Sequence, residues 1–223
     1  ISFFKRNGFK IALGILAFIF LFKIGEAFLG RMSIIFYKEM GFSKGDIALY
    51  SKGIGWITTV VFTLMGGLFA IRSGVVKAMF VSGILMAATN LLFAALAWSG
   101  KSEWLFAVAV LLDDIAAAFA TVAFVAFISL LVDRTYTATQ YALLASIGTL
   151  GRTTLAASSG WMVDTLESGG ALHLEYKFIN LGSIYIPSVE NPWAVFFVIT
   201  TVMVIPSLIC LWIIRNKLKL SAK

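Results

Sequence analysis

The chain has 223 residues, of which 60% are hydrophobic and only 13% are charged, and its formal net charge is +7. Soluble domains carry about 25% charged residues, so this composition excludes an ordinary soluble domain and makes lipid the expected solvent. The basic residues lie mostly in short links between apolar runs, which argues against nucleic-acid binding. A single cysteine, Cys210, excludes a disulfide framework.

Apolar segments follow one another along the chain, each long enough for the roughly 17–25 residues that a membrane-spanning helix needs. We therefore predict an all-α membrane protein with six transmembrane helices at 10–36, 47–71, 76–98, 103–132, 139–163 and 193–214. The links are short except for a loop at 164–192. Because the chain begins at Ile1 with no Met and no signal-peptide pattern, we expect a fragment, a processed form or a truncated chain.

Lys and Arg residues are unevenly distributed between the two sets of predicted helix ends. Basic residues mark the cytoplasmic side of a membrane protein, so both termini are predicted to be cytoplasmic and the loop 164–192 to face outward. The richer set is Lys5, Arg6, Lys10, Arg72, Lys77, Arg134, Arg215, Lys217, Lys219 and Lys223. The poorer set is Lys38, Lys44, Lys52, Lys101 and Lys177.

Charged residues also occur at membrane depth. Lys23 and Glu26 are three residues apart in the first span, so they share a helix face. Each such charge costs about 2.5–3.5 kcal/mol on insertion scales, so we expect them to face one another or a wet interior. A partly buried acid suits proton coupling, which makes Glu26 and Lys23 candidates for it. The alternative is a static ion pair that fixes helix register.

Further candidates lie in later spans. Asp113 and Asp114 are candidates for proton coupling or ion pairing, but adjacent residues are about 100° apart on a helix and cannot both face one cavity. Arg152 suits an anionic substrate or an acidic partner. Asn90 and Gln140 are weaker substrate-binding candidates. Gln140 lies at a helix start, where capping by Thr137 or Thr139 is the default interpretation.

No nucleotide-binding, HExxH or paired-cysteine signature is present in the sequence. We therefore expect no enzymatic activity, no catalytic residues, no cofactor and no metal. Small residues on the fifth span predict close helix packing, with a thin-walled substrate path as the alternative. They are Gly148, Gly151, Ala156 and Gly160.

Several segments resemble the AmpG-type muropeptide permeases of the major facilitator superfamily. The segment YTATQYALL at 136–144 carries the most specific likeness, and the first-span segment KIGEAF at 23–28 resembles a family segment that usually has Asp where this chain has Glu26. The remaining matches are AFVA at 123–126, Gly151–Arg152, Gly160–Trp161, Lys52, Gly53, Gly55 and Asn90.

The resemblance implies the C-terminal six-span half of a twelve-helix major-facilitator fold, in the inner membrane of a bacterium. The intact protein would import anhydro-muropeptides, which are cell-wall glycopeptides, from periplasm to cytosol, driven by protons. Its partners would be the lipid bilayer and an N-terminal six-span half on the same or a separate chain. The loop 164–192 is longer than the family's usual turn. Two alternatives stay open: transport of another solute such as acetyl-CoA, and a membrane scaffold that transports nothing.

Overall fold

The computed structural model describes residues 8–132, 137–168, 170–176, 179–186 and 190–221. Within these ranges the chain forms α-helices, one π-helical segment and one β-hairpin. The helices are α1 (Phe9–Phe22), α2 (Ile24–Glu39), α3 (Lys44–Ile47), π1 (Ala48–Ile54), α4 (Gly55–Ser73), α5 (Val75–Ser99), α6 (Glu103–Leu131), α7 (Thr137–Ala156), α8 (Ser159–Ser168) and α9 (Pro192–Ser221). The strands are β1 (Gly170–Tyr176) and β2 (Ile179–Ile186).

Five helical segments of the described chain are long and apolar enough to cross a membrane. Each overlaps one predicted span, so a helical, multi-pass membrane protein is confirmed. The segments are Phe9–Glu39, Lys44–Ser73, Val75–Ser99, Glu103–Leu131 and Pro192–Arg215.

The predicted span at 139–163 is not among these five segments. It is divided into α7 and α8 by a turn at Ala157 and Ser158, and α7 carries the polar residues Thr149, Arg152 and Thr153 on its exposed surface. The turn interrupts the apolar stretch, since Ser158 N–H donates to the Leu155 carbonyl at 3.2 Å. A sixth span therefore stays a prediction.

The predicted loop 164–192 contains a β-hairpin, a correction to the all-α prediction outside the membrane helices. Strands β1 and β2 pair antiparallel, with Gly170 opposite Ile186 and Tyr176 opposite Ile179. The apolar residues Leu172 and Leu174 alternate with polar ones in β1, a period-two pattern typical of strands. A hydropathy average over the length of a span does not detect this pattern.

Two hydrophobic clusters form the core, one toward each end of the helix bundle. The Phe36 cluster joins α2, the end of α5, the beginning of α6 and the beginning of α9, and includes Phe36, Phe93, Phe106, Trp193 and Phe197. The Phe18 cluster joins α1, the beginning of α5, the first half of α7 and the later parts of α6 and α9, and includes Phe18, Phe22, Met79, Phe127 and Leu211. Edge-on aromatic contacts, such as Phe36 to Phe197 with centroids 4.8 Å apart, stabilise such packing.

Successive long helices run in alternating directions between these clusters. The segments α1–α2 and α5 run from the Phe18 cluster to the Phe36 cluster, while α6 and α9 run back. The segment α7–α8 also contributes Leu144 to the Phe18 cluster and Leu166 to the Phe36 cluster. The beginning of α1 and the end of α9 lie together, because a Cβ on Gly14 would be 3.1 Å from Cγ2 of Ile214.

The membrane side of this shared end stays a prediction. Five of the basic residues on which the orientation depends lie outside the described residues: Lys5, Arg6, Arg134, Lys177 and Lys223.

Candidate functional site

The predicted polar residues lie at the boundary between the two hydrophobic clusters. Lys23 stands between Phe22 of the Phe18 cluster and Ile24 of the Phe36 cluster. In the same way, Asn90 lies between members of the two clusters on α5, and Asp113 and Asp114 lie between them on α6. The fold therefore gathers charges that are far apart in sequence into one layer of the bundle.

Lys23 occupies the junction between α1 and α2 and forms an ion pair with Glu26. Its Nζ lies 3.2 Å from Glu26 Oε2 and donates a hydrogen bond to Thr121 Oγ1 of α6 at 2.9 Å. The side chains of Lys23 and Glu26 are 12% and 15% exposed, so the pair is shielded but not sealed. The spacing of three residues does place both side chains together, as the sequence suggests.

A cavity of about 180 Å³ adjoins this pair, between the end of α1, the middle of α6 and the middle of α7. Lys23 and Arg152 both line it, together with the hydroxyl-bearing residues Thr121, Tyr141 and Thr149. Arg152 is exposed, and its guanidinium has neither a hydrogen bond nor an ion pair within the described ranges. Two basic side chains therefore meet at a small opening that contains no acid in its lining.

Close packing of α7 against its neighbours brings Arg152 to this cavity. A Cβ on Gly151 would overlap the backbone carbonyl of Phe20 on α1, and a Cβ on Gly148 would lie 2.8 Å from Phe124 Cζ on α6. Both glycines thus permit close approach, as predicted from their small size. Gly160, predicted on the same packing face, has no atom within 4 Å of such a Cβ among the described residues.

A second polar group is buried on the other side of α2. The Thr89 hydroxyl is shared between two acceptors, the Met86 carbonyl at 3.0 Å and Asp113 Oδ1 at 3.2 Å, and Asn90 beside Thr89 is 2% exposed. Asn90 Nδ2 has no hydrogen-bond partner in the described part of the chain. A Cβ on Gly25 of α2 would lie 3.3 Å from this nitrogen, so α2 and α5 pack closely here. Asp113 is also within electrostatic range of Glu26.

Asp114 points away from Asp113, as expected for adjacent residues on a helix. A Cβ on Gly55, at the beginning of α4, would overlap the Asp114 carboxylate at Oδ2. Asp113 therefore faces α5, while Asp114 faces the junction of π1 and α4. Neither acid lines the cavity that Lys23 and Arg152 share.

Gln140 lies in the first turn of α7 and does not line the cavity that Lys23 and Arg152 share. Its neighbour Tyr141 does line it, so the segment 136–144 contributes to the site through a different residue. Residue Tyr136 of that segment lies outside the described residues. Of the three substrate-binding candidates, only Arg152 lines this cavity.

The contributions of Thr121 and Thr89 are absent from the sequence-based expectations. The Thr121 hydroxyl contacts a charged group 98 residues away along the chain, and the Thr89 hydroxyl contacts one 24 residues away. Contacts over such separations cannot be predicted from local spacing in the sequence. The available signal is the single threonine that each of these two helices carries, at the depth of the charges.

The chain matches no protein-family model. It is 31% identical to the protein named AmpG 4 of Rickettsia conorii, and the match covers 97% of this chain and 45% of that protein. It is 28% identical to the anhydromuropeptide permease of Escherichia coli, over 98% of this chain and 39% of the permease. The protein named AmpG 1 of Rickettsia prowazekii is 26% identical over 97% of the chain.

The chain spans less than half the length of these curated relatives. The matches cover nearly all of its residues. The helical membrane architecture agrees with a permease. The chain is accordingly a homologue of the AmpG-type permeases, corresponding to rather less than half of such a protein.

Proposed function

We propose that this chain is the C-terminal half of a proton-coupled transporter of the major facilitator type, which imports anhydro-muropeptides from periplasm to cytosol across the inner membrane of a bacterium. The observation that carries the proposal is the Lys23–Glu26 pair, which lies beside an open cavity at the centre of a chain homologous to an anhydromuropeptide permease. A partly shielded acid with a basic partner can exchange protons while remaining in contact with a substrate path.

Glu26 is the proposed proton carrier. When its carboxylate is charged, it holds the Lys23 ammonium at 3.2 Å, and when it is protonated this attraction is lost. The other charged groups near the pair are Asp113 on α6 and Arg152 on α7. Because Lys23 sits at the junction of α1 and α2, release of the pair acts where the helix of the first span is interrupted.

The exposed position of Arg152 supports the presence of a second half of the transporter that packs against α7. The hydroxyls on the exposed face of α7 bond to their own helix, as Thr153 does to the Thr149 carbonyl at 2.9 Å, so they tolerate lipid. Arg152 has no such partner among the residues described, and a charge facing lipid at this depth costs about 2.5–3.5 kcal/mol on insertion scales. A second set of helices covering α7 removes this cost and completes a central cavity between two halves.

The same proposal includes a sixth membrane span, formed by α7 and α8. The segment α7–α8 contacts both hydrophobic clusters and therefore runs the full length between them. With six alternating segments, the beginning of α1 and the end of α9 lie at one end of the bundle, which supports the proposed cytoplasmic location of both termini.

Uptake by the complete transporter carrying this chain, in proteoliposomes, tests the proposal. An imposed inward proton gradient is expected to drive accumulation of a radiolabelled anhydro-muropeptide, and a protonophore is expected to abolish it. Acetyl-CoA serves as the comparison solute. Accumulation of acetyl-CoA instead, or uptake that ignores the gradient, contradicts the proposal.

A further inference from the structure

We propose that Arg152 and Lys23 form a carboxylate-binding subsite that receives an acidic group of the transported glycopeptide. The subsite is the cavity of about 180 Å³ between α1, α6 and α7. This inference rests on the proposed transport function and adds the substrate chemistry of that site.

Charge in the cavity lining is the first argument. Lys23 and Arg152 contribute two positive charges to the lining, and no acidic side chain lines it. Glu26 offsets the charge of Lys23, since their side chains are 3.2 Å apart. The guanidinium of Arg152 is not offset by any acid of the described chain. An anion entering the cavity therefore meets one surplus positive charge.

The available hydrogen-bond donors are the second argument. An ammonium has three N–H donors, and Lys23 directs one toward Thr121 at 2.9 Å and one toward Glu26 at 3.4 Å. One donor of Lys23 remains, as do the N–H groups of the planar Arg152 fork, which match a carboxylate in two parallel bonds. Thr149 is not a competing donor, because its hydroxyl bonds to the Ala145 carbonyl at 3.0 Å.

Size restricts the subsite to one group of the substrate. Sites for whole drug-sized ligands have volumes of about 300–1,000 Å³, and this cavity is smaller. The neighbouring exposed face of α7 is open and shares Tyr141, Ala145 and Thr149 with the cavity. The geometry thus assigns the carboxylate to the cavity and leaves the bulkier part of the substrate outside it, along this face of α7.

Equilibrium binding to the complete transporter in phosphatidylcholine nanodiscs tests the subsite. The two probes are an anhydro-muropeptide with free peptide carboxylates and the same compound with every carboxylate converted to an amide. The wild-type protein is expected to bind the acid roughly tenfold to hundredfold more tightly, as charge-assisted bonds require. In Arg152→Gln the acid and the amide are expected to bind with affinities within about twofold of each other. The preference disappears because it depends on the interaction between Arg152 and the substrate carboxylate.

Two further variants distinguish the subsite from a structural role. Arg152→Lys keeps the charge but not the fork, so part of the preference is expected to remain. Arg215→Gln removes a cation that stacks on Trp212 away from the cavity, and the full preference is expected to remain.

Three results of these binding measurements would contradict the subsite. A wild-type protein that binds acid and amide equally contradicts the subsite but leaves the transport proposal intact, and it assigns Arg152 to an acid of the counterpart half. A protein that binds neither compound contradicts both proposals. Phosphatidylglycerol in the nanodiscs is expected to leave the preference unchanged, and its loss there would assign the subsite to a lipid headgroup instead.

Discussion

Two groups of polar residues lie at nearly the same level of the bundle but differ in their access to the outside. The Lys23–Glu26 pair adjoins an opening that Arg152 also lines, and its hydroxyl partner Thr121 is exposed. The Asp113–Thr89 pair lies on the other side of α2, next to Asn90, which is 2% exposed. Similar chemistry therefore occurs once at an open position and once inside the packed core.

The difference indicates which group is suited to transport. A group that exchanges protons and contacts substrate needs a path to water. Lys23, the ion-pair partner of Glu26, lines the opening, whereas Asp113 and Thr89 do not. The Asp113–Thr89 pair instead satisfies polar atoms in a position where an unpaired group costs about 1–3 kcal/mol. We therefore interpret the open pair as functional and the buried pair as structural.

The largest effect on folding is expected from Gly151→Ala, because the new methyl group would overlap the Phe20 carbonyl. Backbone cannot rotate away as a side chain can, so α1 and α7 must separate, which costs about 1–3 kcal/mol or more. Gly160→Ala is the matched control, since its methyl group meets open space. Thermal unfolding in detergent is expected to show a clear decrease for the first variant and none for the second. Equal midpoints would mean that α7 does not pack closely on α1.

A smaller loss is expected from Gly55→Ala, because the atom in its way belongs to the Asp114 side chain. The carboxylate must move, at a cost of about 1–3 kcal/mol. Gly53→Ala, whose methyl group would be 3.8 Å from the Ala48 carbonyl oxygen, serves as the control. If the two variants have the same unfolding midpoint, the Asp114 carboxylate does not pack against the beginning of α4.

Asp113→Asn tests the assignment of the buried pair. The amide oxygen still accepts the Thr89 hydrogen bond while losing the charge near Glu26. Proton-driven uptake is expected to stay within about threefold of the wild type, a change in the range of peripheral effects on rate. If this variant loses proton coupling, the Asp113–Thr89 pair is the functional one and the Lys23–Glu26 pair is structural.

The smallest effects are expected from removing single hydroxyls. Thr89→Val removes a buried bond to Asp113 and is expected to lower the free energy of unfolding by about 0.5–1.5 kcal/mol, with uptake unchanged. Thr121→Val removes the bond to Lys23 at the open pair, so it is expected to change uptake kinetics more than stability. Parallel unfolding and uptake measurements on both variants check this, and the opposite pattern would contradict it.

Hydropathy predicts the long helices well because their ends coincide with local signals. The prediction 76–98 compares with Val75–Ser99 in the structure, where Gly74 and Gly100 flank the helix with positive φ angles of 89° and 79°. The prediction 103–132 compares with Glu103–Leu131, which begins after Ser102, whose side chain accepts the Leu105 N–H.

Backbone irregularities and contacts between distant residues cannot be predicted from hydropathy and local signals. The interruption at Lys23, the π-helical segment Ala48–Ile54 and the turn after Ala156 all lie within or beside apolar stretches, whose average hydropathy they barely change. The Lys23–Glu26 pair follows from a spacing of three residues, whereas the approach of Arg152 depends on packing at Gly148 and Gly151. Spacing therefore identifies the pair, and only the fold identifies the cavity.

Comparison of Glu26→Gln with Glu103→Gln in proteoliposomes tests most directly whether the open pair couples protons to transport. Glu103 is an exposed acid in the first turn of α6, far along the helix from the polar layer, and serves as the control. Glu26→Gln is expected to abolish gradient-driven accumulation of the anhydro-muropeptide while permitting exchange of substrate across the membrane, and Glu103→Gln is expected to retain both. Undiminished gradient-driven accumulation in Glu26→Gln would contradict the proposed coupling.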